Sequence, residues 1–307
     1  MKNLVWLLFV LSGFTACKKE APEAPTDTPV SGRVSIAADA TLQPFVESEI
    51  AAFERIYDKA KIDCQYAPEA AIFKALLSDS VRAVIAAREL SAEEKAHFDR
   101  KAIVPRYVYI GADAIVLLVN RNNPDSLLRF EELQAIVNGK INTWEKLTSH
   151  SHQGKIDLVF DHEVSSNVTS LMRLLGVKKL PSNAYALKTN AQVLDYVSQN
   201  RQAIGVVGMS WISDLGDAQR RQLESRLSIV YLRLANYGED RYFKPDQINI
   251  SEGKYPLYRR LQIINCEGKS GLVTGLATYV ASPKGQLILL KSGILSATLP
   301  QRTVHSN

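Results

Sequence analysis

The sequence has few of the side chains that usually carry covalent or metal chemistry. Its 307 residues include 3 cysteines and 5 histidines. No G-x-S-x-G, P-loop, C-x-x-C or H-E-x-x-H pattern occurs, and these are the patterns that place a nucleophile, a nucleoside triphosphate or a metal ion. The sequence therefore predicts no catalytic residue and no cofactor, and we expect a protein that is not an enzyme.

The histidines and cysteines that are present do not form a motif. His150, His152 and His162 come closest to a metal-ligand set, but H-S-H-Q-G has the composition of an exposed loop, so no metal site is predicted. Cys64 and Cys266 fall in predicted strands and outside any close-spaced pattern. Buried free thiols are favoured for this pair, although an oxidising compartment would allow a disulfide.

Charge of one sign is not concentrated anywhere in the chain. The formal net charge is +5 and the basic residues are dispersed. The richest stretch, RRQLESR at 220–226, is interrupted by Glu224, which is typical of a solvated face. We therefore predict no nucleic-acid partner, because nucleic-acid binding usually needs a concentrated basic patch.

A long apolar run occurs at the start of the chain. LVWLLFVLSGF follows Lys2 and is too short to span a bilayer, so residues 1–16 are predicted to be a signal peptide. The ending Thr15-Ala16-Cys17 resembles a lipobox, after which the cysteine becomes lipidated. Cys17 is therefore the predicted lipidation site. Phe14 departs from the usual aliphatic residue, and an ordinary secretory signal is the alternative.

A polar segment follows Cys17. Residues 18–32, KKEAPEAPTDTPVSG, contain Val30 as their one large aliphatic side chain and cannot bury enough surface to fold. Residues 17–32 are thus predicted to be a lipidated cysteine and a disordered tether with a reach of about 40 Å. This places the folded part in the cell envelope, lipid-anchored to a bacterial membrane and facing the periplasm or the exterior.

Strand and helix patterns alternate through the rest of the chain, which is typical of α/β proteins. Short apolar runs such as AVIAA and IDLVF predict buried strands, and the spacing of Leu42, Phe45 and Val46 predicts a helix. IVPRYVYIGADAIVLLVN predicts two consecutive extended pieces. The pattern favours two α/β lobes with a ligand cleft between them, since sites in such folds lie where strands end and helices begin.

Two strand-to-helix connections carry polar groups suited to an anion. One is Asp39-Ala40-Thr41 and the other is Ser165-Ser166-Asn167. Each brings polar side chains and free backbone N–H groups to the positive end of a helix dipole, which favours anions. Residues of these types are also common helix caps, so spacing alone leaves both interpretations open.

Seven segments in a fixed order carry a family resemblance: AADATLQPFVESEIAAFERIY, RAVIAAREL, IGADAIVLLVNRNNPDS, FEELQAIVNGKINTWEKL, NRQAIGVVGMSWISD, KYPLYRRLQII and YVASPKGQLILLKSGIL. Together they resemble the phosphate-binding component of ABC phosphate transporters, in its lipoprotein form. The resemblance implies an α/β, two-lobed type-2 periplasmic binding protein fold with a central ligand cleft. Residues 33–118 and 225–300 are expected to form lobe I, residues 119–224 lobe II, and residues 301–307 a C-terminal tail.

The same resemblance implies three sources of phosphate ligands. A hydroxyl-rich loop precedes the first helix in the family, and Asp39-Ala40-Thr41 matches it with Thr41 retained. A family Asp that accepts a hydrogen bond from protonated phosphate aligns, counting back from the Arg-Glu-Leu turn, with Arg82. A third group joins an Arg to the start of a helix. Ser166-Asn167-Val168 aligns there, and the expected Arg falls near His162.

An arginine at position 82 is expected to change the ligand preference. A carboxylate there rejects sulfate, whereas Arg82 supplies a guanidinium fork that suits oxyanions in general. The expected function is a membrane-tethered solute-binding protein that captures phosphate or a related oxyanion for the membrane proteins of an uptake system. The alternative is a degenerate binding fold that acts as a sensory or protein-interaction module in the envelope.

Overall fold

The structure, a computed structural model, describes residues 27–147, 153–213, 216–238 and 241–298. The predicted signal peptide, Cys17, residues 18–26 of the predicted tether, His150, His152 and the C-terminal tail lie outside these residues. Within the described residues, no helix combines the length and the apolarity needed to cross a membrane.

The described residues form an α/β fold in which strands and helices alternate along most of the chain. The strands are β1 Gly32–Asp39, β2 Ala60–Ala67, β3 Ala83–Ala86, β4 Arg106–Asn120, β5 Leu127–Arg129, β6 Asp157–Phe160, β7 Ala184–Ala186, β8 Ala203–Gly208, β9 Leu227–Ile229, β10 Tyr231–Arg233, β11 Tyr258–Asn265 and β12 Leu295–Ser296. The α-helices are α1 Gln43–Ile56, α2 Glu69–Leu77, α3 Ala92–Arg100, α4 Phe130–Val137, α5 Ser166–Leu175, α6 Asn190–Gln199, α7 Ser210–Ser213, α8 Asp217–Arg226, α9 Gln247–Ser251, α10 Leu272–Ala281 and α11 Pro283–Lys291. Short 3₁₀ helices span Ala40–Leu42, Trp144–Lys146 and Ala235–Tyr237.

Most strands join one sheet in the order β2-β1-β3-β11-β4-β8-β6-β7. β1 is parallel to β2 and β3, and β6 is parallel to β7 and β8. β11 runs antiparallel to β3 and β4, and β4 runs antiparallel to β8. The carboxyl ends of β1, β2 and β3 therefore share one edge, and those of β6, β7 and β8 share another. These edges are where α/β proteins bind ligands.

One long strand joins the two halves of this sheet. β4 has 15 residues; residues 106–114 pair with β11 and residues 115–119 pair with β8. The sequence predicts two extended pieces here, whereas the structure shows one strand with two successive partners. Burial explains the continuity, because residues 110–120 are all buried and a break would leave backbone groups unpaired.

Lobe I packs both faces of its half of the sheet. One face, with Ile36 and Ala38, lies against α1, α10 and α11, and the other, with Ala37, lies against α2 and α3. Cys64 belongs to the first face and Cys266 to the second, and both are free thiols. The sheet therefore separates the two sulfur atoms.

Lobe II extends further along the chain than the sequence predicts. β9 pairs with residues 118–120 of β4, and Val230, Leu232, Tyr255 and Leu257 are buried in the same core as β6 and β8. The chain thus returns to lobe I at the start of β11. The predicted boundary at residue 225 is corrected, because residues 227–257 pack with lobe II.

Capping residues that can be recognised in the sequence lie at the ends of several helices. Ser91 and Glu94 form the capping box that begins α3. Ser282 caps α11 ahead of Pro283. Gly176 follows α5 in the left-handed conformation, with φ of 66°. These caps mark where the three helices begin or end.

Residues 27–29, at the start of the described chain, pack against α10. The Asp27 carboxylate accepts a hydrogen bond from the Leu272 N–H over 2.8 Å and lies 3.4 Å from Lys269 Nζ. Pro29 passes so close to Gly275 that a Cβ added to this glycine would lie 1.7 Å from the Pro29 carbonyl oxygen. Residues 27–32 of the predicted disordered tether are therefore ordered on lobe I, which corrects that part of the prediction.

We expect Gly275→Ala to release this segment from α10. The added methyl cannot coexist with the Pro29 carbonyl, so residues 27–31 must move away, at a cost of about 1–3 kcal/mol. Faster amide hydrogen exchange at Ser31 and Gly32 and a lower unfolding midpoint are the expected results.

Gly216→Ala is the matched control for this change. Gly216 has φ of −63°, and the nearest atom to an added Cβ lies 3.7 Å away, so exchange at residues 31–32 stays unchanged. Unaltered exchange in Gly275→Ala as well would contradict the close packing of Pro29 on α10.

Candidate anion-binding site

Two of the predicted segments meet between the lobes. Thr41 lies in the 3₁₀ helix after β1, and Ser166 is the first residue of α5. Their hydroxyl oxygens are 2.9 Å apart, although 125 positions separate the two residues in the chain. Both side chains are buried. The two strand-to-helix connections therefore form one polar cluster.

A buried arginine completes this cluster. Arg259, in β11, donates a hydrogen bond from Nη1 to Ser166 Oγ. Its Nε and Nη2 donate to Asp113 Oδ2 over 3.2 and 2.8 Å, and neither side chain of this ion pair has exposed surface. Asp113 Oδ1 also accepts from the Met209 N–H over 3.1 Å. These bonds hold the guanidinium in one orientation, which suits binding of a planar or tetrahedral oxyanion.

Arg259 and Asp113 are not among the predicted site residues, although the sequence contains a signal for both. Asp113 is the one charged residue in the apolar run IGADAIVLLV. A charge in a buried strand needs a partner, and Arg259 stands in KYPLYRRLQII, another strand of the family resemblance.

Asp39 lies beside this cluster with one oxygen that has no protein partner. Its Oδ1 accepts from the Thr41 N–H over 2.9 Å and so begins the 3₁₀ helix Ala40–Leu42. Its Oδ2 is buried and has no hydrogen-bond partner within the described residues. Asp39 is thus a helix cap that also presents an acceptor for a ligand O–H or N–H group.

The start of α5 supplies further polar groups. Ser165 Oγ caps the helix by accepting from the Val168 N–H over 3.4 Å. The N–H groups of Ser166 and Asn167 belong to the first turn, where no intrahelical acceptor exists. Asn167 Nδ2 donates to Asn190 Oδ1 over 3.1 Å and to Asp161 Oδ1 over 3.4 Å. Asn167 Oδ1 is a second buried acceptor without a partner in the described part of the chain.

The carboxyl groups near the cluster hold their protons more tightly than usual. Burial raises the pKa of Glu69, and the charge of Asp39 adds to the rise while Arg88 opposes it. Burial likewise raises the pKa of Asp161, which a Ser165 hydrogen bond opposes, and the pKa of Asp113, which Arg259 opposes. Protonation of Glu69 and Asp161 reduces the negative charge near the cluster.

Arg82 does not lie in this cluster, which corrects the prediction. It precedes β3, and its guanidinium pairs with Asp79 while 47% of its side chain is exposed. β3 has 4 residues, so about 13 Å of strand separates Arg82 from the carboxyl end of β3. The residue directly after that end is Ala87, whose methyl group offers neither charge nor a hydrogen bond.

His162, which falls near the position of the family arginine, also lies outside the cluster. His162 is exposed, and its Nδ1 accepts from the Val164 N–H over 3.3 Å. His150 and His152 lie outside the described residues, and within the described residues no group of three or more His, Cys, Asp or Glu side chains is placed to hold a metal ion. The buried positive charge of the site thus comes from Arg259.

Arg88, at the edge of the site, is held by contacts with other side chains of the protein. Its guanidinium carbon lies 3.5 Å from the centroid of the Phe73 ring. It forms ion pairs with Glu69 and Glu94, at 3.0 and 2.7 Å. These contacts hold Arg88 in the turn after β3.

Two α/β lobes joined through β4 and β11 thus enclose hydroxyl groups, helix N–H groups and a guanidinium. This arrangement defines a two-lobed solute-binding protein with the type-2 periplasmic binding fold, as predicted. The chain belongs to the PBP superfamily: the family model described as PBP superfamily domain matches residues 23–284.

Curated relatives and solved structures agree with this assignment. The phosphate-binding protein PstS of Staphylococcus aureus (strain USA300) is 24% identical over 236 residues, which are 76% of this chain and 68% of the relative. A putative phosphate ABC transporter substrate-binding protein with bound phosphate from Clostridium perfringens has a TM-score of 0.72 at 20% identity, over 87% of this chain and 100% of that one. An ABC-type phosphate transport receptor from Vibrio cholerae has a TM-score of 0.64 at 16% identity, over 85% and 99% of the two chains. At these identities the structural likenesses show the fold.

Proposed function

We propose that the protein is a solute-binding protein that captures phosphate or a related oxyanion and delivers it to the membrane proteins of an uptake system. Lipidated Cys17 anchors it in the bacterial envelope, facing the periplasm or the exterior. Binding is non-covalent and the protein acts without catalysis. The relatives support the ligand class, because the S. aureus relative is a phosphate-binding protein and the C. perfringens structure contains phosphate.

The observation that carries the proposal is the buried guanidinium of Arg259. Its Nη1 donates to Ser166 Oγ, and the Ser166 and Thr41 hydroxyls contact each other. An oxyanion placed here takes the Nη1 hydrogen bond, and the two hydroxyls turn to donate to its other oxygens. The first N–H groups of α5 add the partial positive charge of a helix start.

The two lobes supply different parts of this site. Thr41 and Arg259 belong to lobe I, whereas Ser166 begins α5 in lobe II. An anion between them therefore links the lobes. Because the surroundings exclude water, each hydrogen bond to the anion is stronger than it would be at the surface.

Isothermal titration calorimetry of the purified full-length chain in detergent micelles tests the proposal. Saturable 1:1 binding of phosphate is expected, with sulfate weaker. Absence of binding to every oxyanion tried would overturn the proposal and favour a degenerate binding fold with a sensory or protein-interaction role.

Asp39→Asn is expected to weaken the discrimination between phosphate and sulfate. The free Oδ2 of Asp39 accepts the proton of hydrogen phosphate, whereas sulfate has no proton to give at neutral pH. An amide nitrogen at this position donates to sulfate instead. A hydrogen bond to a charged group contributes about 1.5–3 kcal/mol, so calorimetry at pH 7 should show the affinity ratio falling about 10- to 150-fold.

Asp63→Asn is the control, because Asp63 is a carboxylate on β2 that pairs with Arg33 away from the cleft. Both affinities should stay the same in this variant. An unchanged affinity ratio in Asp39→Asn would show that Oδ2 does not meet the ligand.

A further inference from the structure

A cavity of about 740 Å³ continues outward from the buried cluster. It lies between the end of β3, the start of β11 and the α5 helix of lobe II. Arg259 lines this cavity and also bonds to Ser166, so the cavity and the cluster are adjacent. Cavities of about 300–1,000 Å³ hold small organic ligands, and an inorganic oxyanion fills a small part of such a volume.

One face of α5 leads from the cluster into this cavity. Ser166, Ser170 and Arg173 are spaced i, i+4 and i+7 and therefore share a face of the helix. Ser170 and Arg173 line the cavity. Seven residues of helix rise about 10 Å, and long side chains lean toward the helix N-terminus. Arg173 therefore lies about two helical turns from Ser166, on the face of α5 that lines the cavity.

A second arginine, from β11, also lines the cavity. Arg260 is exposed, and its guanidinium carbon lies 4.5 Å from the Tyr109 ring centroid. Neither Arg173 nor Arg260 forms an ion pair with a carboxylate among the residues that the structure describes. The other charged residues that line the cavity all take part in ion pairs: Glu69, Arg88, Glu89 and Arg259. Two positive charges in the cavity are therefore uncompensated.

We propose that the site takes a small organic phosphate that carries a second acidic group, such as a phosphorylated hydroxy acid. The phosphoryl group lies against Arg259, and the second acid lies between Arg173 and Arg260. This inference rests on the proposed function and names the substrate class of the same site. A carboxylate gains two guanidinium partners there, whereas a neutral tail of the same length gains neither.

Two probes of similar length separate these alternatives: 3-phosphoglycerate, which has the second acid, and glycerol 3-phosphate, which lacks it. Calorimetry of the full-length chain at fixed ionic strength is expected to show 3-phosphoglycerate binding at least tenfold more tightly. In the double variant Arg173→Gln/Arg260→Gln this advantage is lost, while the affinity for inorganic phosphate is unchanged. Both side chains are exposed, so the unfolding midpoint should be preserved, and Arg82→Gln, outside the cleft, should retain the advantage.

Equal affinities for the two probes, or an advantage that survives in the double variant, would overturn this inference. The proposed function would stand in either case, provided that inorganic phosphate still binds. Failure of all three ligands to bind would overturn both. Tighter binding of 3-phosphoglycerate that disappears with Arg173 and Arg260 supports the inference.

Discussion

Arg259→Met is expected to abolish detectable anion binding and to lower the free energy of unfolding by about 3–5 kcal/mol. Arg259 and Asp113 are both fully buried and joined by two hydrogen bonds. Methionine has a similar length but no charge, so the Asp113 carboxylate stays buried without its partner. Urea unfolding measured by circular dichroism and calorimetric titration with phosphate report the two effects.

The double variant Arg259→Met/Asp113→Leu separates folding from binding. Removing both members of a buried pair is often close to neutral for stability, and the Met209 N–H retains its bond to the Ala114 carbonyl at 3.1 Å. Stability should therefore return while anion binding does not. Recovery of binding in the double variant would show that Arg259 acts only by supporting the fold.

Glu49→Gln is expected to stabilise the protein at pH 8 and to change little at pH 5. Glu49, in α1, is 1% exposed, and neither carboxyl oxygen has a hydrogen-bond partner within the described residues. Burial raises its pKa from 4.5 to about 9. The folded protein thus keeps a proton that the unfolded chain releases, so stability falls as pH rises between these values. The slope is about 1.4 kcal/mol per pH unit, or about 4 kcal/mol from pH 5 to pH 8.

Urea unfolding of both proteins at several pH values between 5 and 8 measures this effect. Glu47→Gln is the matched control, because Glu47 lies on the same helix and is exposed. Its curve should follow that of the unaltered protein. Parallel pH profiles for the unaltered protein and Glu49→Gln would show that Glu49 is not buried as a neutral acid.

Much of the fold follows from local signals in the sequence. The run AVIAA predicts β3, the spacing from Leu42 predicts α1, and Ser91 predicts the start of α3, because each depends on residues close in the chain. Two other features depend on which distant strands pair with β4: the continuity of β4 itself, and the return of the chain to lobe I at the start of β11. Periodicity within a segment carries no information on its partners, so these two features could not be predicted.

The candidate site also contains residues that local signals predict and residues that depend on strand pairing. Thr41 and Ser166 could be predicted because both follow the end of a strand, and such ends converge in α/β sheets. Arg82 was a wrong choice because it precedes β3, and the direction of the strand places it at the opposite edge. Arg259 and Asp113 lie inside strands and become partners through the antiparallel register that sets them opposite each other. That register is a property of the assembled sheet.

The change of partner along β4 has a mechanical consequence. Pairing passes from β11 to β8 between Ala114 and Ile115, so any rotation of one lobe against the other must twist the strand there. Asp113, which orients Arg259, lies two residues before Ile115. The segment of β4 that both lobes share thus lies beside the carboxylate that orients the buried guanidinium. Under the proposed function, an anion held by Arg259 contacts the same short segment that a movement between the lobes would have to twist.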